Sequence, residues 1–228
     1  MKTSREQLES LQNQIVSCCQ CPRLVEWRQQ MAEQKVARFR EQEYWGRPLP
    51  GFGDPQARLL VVGLAPAAHG GNRTGRMFTG DASGDLLFQA LYRSGFANQP
   101  TSSDREDGLA LRDCFISAVV RCAPPENKPR PEEARTCRKY LEQELVLLAN
   151  VQVIVALGGF AFTHLLRILP SAPSPRPTFA HLQQVNCEKY RLLASYHPSQ
   201  RNTSTRLLTL EMLDEVFNRA REALEPLS

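Results

Sequence analysis

The chain has 228 residues, 42% of them hydrophobic and 23% charged, with a formal net charge of +4. This is the composition of a water-soluble protein long enough to bury a core without disulfide staples, and it excludes a disordered or collagen-like chain. No apolar run approaches the ~20 residues of a membrane span, and the mild positive charge is compatible with a polyanionic partner.

The N-terminus, Met1 to Cys19, lacks the apolar stretch of a secretory signal, so a cytoplasmic location is expected. There thiols stay reduced, and the seven cysteines need a reason other than disulfides. Only five of the 28 basic residues are lysine, at positions 2, 35, 128, 139 and 189. The remainder are arginines, whose planar forks suit phosphates and base edges.

In chain order, residues 4 to 32 read as helical, from Leu8, Leu11 and Ile15 to Leu24, Trp27 and Met31, interrupted by Cys18-Cys19-Gln20-Cys21-Pro22. Residues 33 to 57 are irregular. Arg58 to Gly63 is an unbroken apolar run, expected as a buried parallel strand. A polar, Gly-rich loop over residues 65 to 85 precedes a helix expected from Asp85 to about Ser94. Phe115 to Val120 reads as a second strand, and Glu132 to Asn150 as a helix with Pro131 in its first turn. Val151 to Leu157 reads as a third strand, ended by Gly158-Gly159, with a helix over Phe160 to Leu169 and a Pro-rich loop over residues 170 to 178. Tyr190 to Ser195 is a fourth strand, and Thr209 to about Leu224 a closing helix. Strands alternating with helices predict one three-layer α/β domain over residues 1 to 228, with a four-stranded, mainly parallel central sheet flanked by helices.

Ligands of open α/β sheets bind at the carboxyl ends of strands. Two loops there are rich in Gly or Pro with His, Arg, Asn and hydroxyls: residues 63 to 81, GLAPAAHGGNRTGRMFTGD, and residues 197 to 206, HPSQRNTSTR. Such residues hold phosphates through backbone N–H groups and charge. There is no GxxxxGK[ST], and no GxGxxG follows the first strand, so neither a P-loop nor a dinucleotide fingerprint is present.

These two loops resemble the first motif and the His-Pro-Ser motif of the uracil-DNA glycosylase superfamily, in the form of its iron–sulfur-containing family 5. Residues 120 to 129, VRCAPPENKP, resemble the matching segment of families 4 and 5, and the likeness runs from about Ser17 to the C-terminal helix. It implies a monofunctional glycosylase that removes uracil, and other deaminated bases, from double-stranded DNA. The protein is expected to be a monomer without a membrane contact. A Schiff-base lyase would need a pocket lysine, and neither loop has one.

Cys18 with Cys21 and the distant Cys122 with Cys137 can hold a structural zinc or a [4Fe–4S] cluster. Spacing alone favours zinc, although the second pair is too wide for a standard ribbon. The resemblance implies the cluster, with Cys19 competing with Cys18. Cys114 and Cys187 read as packing residues. The resemblance also implies that Phe78 stacks on the flipped base and that His197 donates to its O2. Ala65 stands where many relatives carry a water-positioning Asp or Asn. That role is expected of Asp81, with Asp85, Asn72 and His69 as alternatives and Asp85 expected to cap the next helix. Asn127 belongs to the pocket or to a turn beside the cysteines. Ala118 replaces a base-reading Asn. Ser199, Asn202 and Arg206 are expected on phosphate and in the minor groove, and Arg73 and Arg76 on the other side of the lesion. Two other readings fit the residues: a cluster-stabilised nucleic-acid-binding protein without glycosylase activity, and a zinc-stabilised hydrolase of small phosphorylated molecules.

Overall fold

A computed structural model describes residues 3–225. The Cys-rich break at residues 17 to 21 divides the expected N-terminal helix in two. Helix α1 (Ser4–Val16) opens on a capping box made by Thr3 and Glu6, and α2 (Pro22–Gln34) starts on Pro22, whose missing N–H costs nothing in a first turn. The chain continues as β1 (Phe52–Gly53), β2 (Leu59–Gly63), the single turn α3 (Gly71–Thr74), α4 (Ala82–Arg93), β3 (Cys114–Ala118), α5 (Pro131–Leu147), β4 (Val153–Leu157), α6 (Gly159–Ile168), β5 (Gln184–Cys187), β6 (Tyr190–Ser195), α7 (Gln200–Ser204) and α8 (Leu210–Leu224).

One six-stranded sheet runs β1-β3-β2-β4-β6-β5. The expected four strands form its parallel centre. The count of four is corrected by two antiparallel edge strands, β1 on β3 and β5 on β6. Both escape an apolar-run reading for a physical reason. β1 has two residues, and β5 alternates exposed Gln184 and Asn186 with buried Val185 and Cys187, the pattern of an edge with one wet face.

Alternation along the central strands divides the core in two. Leu60 and Val62 of β2 and Ile154 and Ala156 of β4 face one side, with α5 and α6. Leu59, Val61, Val153 and Val155 face the other, with α4 and α8. Leu11 and Ile15 of α1 pack on Cys137 and Tyr140 of α5. All four parallel strands therefore end together, and the loops after them share one rim. Among the described residues no helix is long and apolar enough to cross a membrane.

Candidate active site

A cleft of about 490 Å³ opens on that rim. It is lined by the strand-end residues Leu64 to Ala67 and Ala118, by Met77, Phe78, Asp81 and Asn127, and by His197, Ser199 and Arg201. Phe78 and His197 face each other there, their ring centroids 6.0 Å apart and their planes 34° apart. Phe78 holds a left-handed backbone (φ 52°), a conformation costly for an aromatic residue and typical of ligand sites. Its ring lies over the end of β2, where Gly63 leaves room: a Cβ there would come 2.6 Å from Phe78 Cζ. On the far wall Gly158 (φ 94°) ends β4 against His197, a Cβ at 158 meeting His197 Cβ at 3.2 Å.

His197 is carried past the end of β6 and fixed from its backbone. Asn202 Nδ2 donates to its carbonyl at 2.9 Å, and the Tyr196 N–H donates to His181 Nδ1 at 3.2 Å. Burial of the imidazole lowers its pKa to about 4, so it is neutral at pH 7. Asp81, not Asp85, caps α4: its Oδ1 accepts from the N–H groups of Ser83 and Gly84, both at 3.0 Å. Its Oδ2 takes no hydrogen bond among the described residues. Burial raises the Asp81 carboxyl, opposed by those two N–H donors. Asp85 is exposed and outside the cleft lining.

Several expected contacts are placed elsewhere. Asn72 is fully buried, outside the cleft lining, and donates to the carbonyl of Arg28 at 3.1 Å. His69 accepts from or donates to Tyr44 at 3.1 Å and is absent from the cleft wall. Arg76, expected on the lesion, is instead 4% exposed and pairs with Asp107, with further bonds to Ser102 and Thr79. Arg73 is also buried, its guanidinium spent on the carbonyls of His69 and Gly80 and on Gln42, over the Phe39 ring. Two arginines that look like phosphate clamps in the sequence are thus the internal frame of the loop. Ser199 caps α7, and Asn202 holds His197, so their side chains serve the loop first. Arg206 is exposed with a left-handed backbone (φ 56°). Arg201, exposed and on the cleft rim, went unnoticed in the sequence. The signal for it was its place two residues after Ser199 at the start of a short helix.

On the sheet face that carries α5, away from the cleft, Cys18, Cys21, Cys122 and Cys137 line one small cavity with Arg121 and Tyr140. Cys19 is exposed and its Sγ turns to the carbonyl of Ser17. Burial pushes the Cys122 thiol up to about 11, against the pull of Arg28, and Cys137 up to about 12, against Arg121. Cys122 Sγ accepts from Arg28 Nη1 at 3.0 Å, and Cys137 Sγ from the N–H of Arg121 at 3.3 Å. Cys114 and Cys187 are fully buried in the two halves of the core.

Residues 50–221 match the family model of the uracil DNA glycosylase superfamily. The chain is 51% identical over 219 residues to the Type-5 uracil-DNA glycosylase of Mycobacterium leprae, covering 94% of this chain and 95% of that protein. It is 50% identical over 214 residues to that of Mycobacterium tuberculosis, covering 92% and 80%, and 49% identical over 214 residues to that of Thermus thermophilus, covering 93% and 96%.

Proposed function

The chain belongs to the uracil DNA glycosylase superfamily, and from that premise we propose how its cleft works and what it accepts. The protein is a DNA glycosylase: it hydrolyses the N-glycosyl bond of uracil in DNA, the step that opens base excision repair. The observation that carries the mechanism is the pairing, in one strand-end cleft, of an aromatic ring, a neutral imidazole and a carboxylate with one open oxygen.

The target base leaves the stack and enters the cleft, where Phe78 stacks on it. His197, neutral because it is buried, donates a hydrogen bond to the base oxygen that gains charge as the bond breaks. Asp81 holds the attacking water on Oδ2 and stabilises the positive sugar. Its cap bonds fix the carboxylate plane without consuming that oxygen. Ala65 and Ala118 present methyl groups where a polar side chain would read one base edge, while Asn127 supplies a single amide at the mouth. Such a wall accepts more than one deaminated base. Arg201 and Arg206, both exposed, supply phosphate contacts, with Ser199 and Asn202 shaping the loop between them. The whole chain acts as one glycosylase domain and as a monomer.

Cys18, Cys21, Cys122 and Cys137 are the ligands of a [4Fe–4S] cluster in this reading. Four cysteines line one cavity, the ligand number and type that a multi-iron core takes. Orphaned buried guanidinium nitrogens of Arg28 and Arg121 beside it supply charge that suits thiolates. When bound, the cluster supplies cross-links that tie the α1–α2 junction to α5 and to the segment after β3.

The test is cleavage of labelled duplexes containing uracil, hypoxanthine, xanthine or hydroxymethyluracil. Release of uracil and at least one other base is expected. Release of uracil alone would remove the broad specificity. Tight DNA binding without release of any base would overturn the enzymatic reading in favour of a cluster-stabilised binding protein.

A further inference from the structure

Arg28 is a long cation on α2, 3% exposed, and no carboxylate lies within ion-pair reach of it among the described residues. Its Nη1 donates to Cys122 Sγ at 3.0 Å and to the carbonyl of Cys18 at 3.3 Å. Its Nη2 donates to the same carbonyl at 3.3 Å and approaches Cys19 Sγ at 3.9 Å. Its Nε has no partner among the described residues. Arg121, which lines the cysteine cavity and is 1% exposed, bonds Glu144 through Nη2, while its Nε and Nη1 have no partner among the described residues. Of the two buried guanidiniums, Arg121 is paired with a carboxylate and Arg28 is not. An uncompensated buried charge is strongly destabilising, and a fold does not keep one without a counter-charge. The atoms placed to provide it are the cysteine sulfurs: as thiolates around an iron–sulfur core they carry net negative charge, and as thiols they carry none.

The other end of the same residue reaches the active-site loop. The carbonyl of Arg28 accepts from Nδ2 of the fully buried Asn72 at 3.1 Å. The N–H of Asn72 in turn donates to the carbonyl of Ala67, a cleft-lining residue, and its carbonyl accepts from the N–H of Gly46. α3, which carries Asn72, leads within four residues to Phe78. The first three members of this path, Cys122, Arg28 and Asn72, are buried.

We propose that Arg28 is the buried counter-charge of the four-cysteine site and, through Asn72, the positioning residue that couples the metal state of that site to the loop carrying Phe78. This rests on the reading of the cysteines as metal ligands. An outer partner of a metal ligand typically supports metal affinity by about 10–100-fold, so Arg28→Met should lose metal to a chelator that much more readily, while Arg28→Lys, which keeps the charge, should lose less. Asn72→Ala should keep its full metal content and chelator resistance. Its preference for uracil-containing over undamaged duplex should nevertheless fall about tenfold, because the loop loses a buried bond.

Metal analysis, the absorbance band near 400 nm under chelator and paired binding titrations read these outcomes. Arg28→Met with native metal retention overturns the counter-charge. Asn72→Ala with native preference overturns the coupling. Should Arg28→Met fail to fold, Arg28→Lys decides: a folded Lys variant stripped of metal as fast as the chelator can reach it overturns the role of charge. Parent protein holding one zinc and no iron overturns the iron–sulfur reading alone, and the Arg28 variants are then scored by zinc retention. Parent protein with no metal overturns both.

Discussion

The cleft and the cysteine cavity are both partly buried, polar clusters joined by one loop, yet they hold charge in opposite ways. The cleft sets a neutral imidazole and one strained aromatic around Asp81, whose carboxyl is raised by burial. At the cysteine site Arg121 lines the cavity and Arg28 donates to Cys122, and of these two buried guanidiniums only Arg121 meets a carboxylate. Charge at an N-glycosyl bond exists only near the transition state, so fixed neutral donors and a single carboxylate serve it without binding the ground state tightly. Thiolates bound to metal are permanently negative, and a permanent cation can face them. The kind of charge a site must meet decides whether its neighbours are dipoles or ions.

The largest effects are expected in the cleft. Asp81→Asn and His197→Ala should each lower single-turnover cleavage of a uracil duplex by about 10²–10⁴, with little change in binding to an abasic analogue. Phe78→Ala should instead weaken capture of the flipped base. Asp81 should contribute an acid limb to the rate profile, beside the protonation of His197 near pH 4. The Asp81 limb should lie above the usual carboxylate range, because burial raises that group. A profile unchanged in Asp81→Asn would move the water to another residue.

Next comes the cavity side. Glu144 is fully buried, bonding Ser117 and the Arg121 guanidinium. Glu144→Gln leaves Arg121 without a counter-charge and should cost about 3–5 kcal/mol of unfolding free energy. A loss under 1 kcal/mol in denaturant titrations would mean that the cysteine site already compensates both arginines.

Smaller is the frame of the first loop. Burial pushes the Asp107 carboxyl up, but Arg76 and the N–H groups of Leu109 and Ser103 outweigh it and hold it at about 2. A depressed carboxyl contributes stability that is present above its unfolded value near 3.8 and is lost as pH falls through about 2. Asp107→Asn should therefore cost about 2 kcal/mol at pH 7 and flatten the acid end of the stability curve. Unfolding midpoints at pH 7, 4 and 2.5 check it.

The smallest effect separates framework arginines from contact arginines. Arg206→Ala should reduce the salt slope of DNA binding by about 0.9 and weaken damaged and undamaged duplexes alike. Arg76→Ala should destabilise the fold and leave that slope unchanged. Equal slopes in both variants would put Arg206 off the DNA.

The sequence by itself determined the parallel centre of the sheet, because Leu59 to Gly63 and Val153 to Leu157 are apolar runs that burial on both faces satisfies, and Tyr190 to Ser195 is interrupted only by the half-buried Arg191. It also marked both strand-end loops and the four cysteines, since turn residues, thiols and a His-Pro-Ser segment are local signals. Tertiary structure decided what local pattern cannot carry. An arginine looks the same in sequence whether it meets phosphate or Asp107, and only the fold brings residues 76 and 107 together. Asp81 and Asp85 lie on adjacent turns, and only the true helix start makes Asp81 the cap with one oxygen left open. The buried cation at position 28, with no carboxylate partner among the described residues, is visible only where α2 packs on Cys122, ninety-four residues along the chain, because charge balance in a protein interior is a property of volumes and not of sequence neighbours.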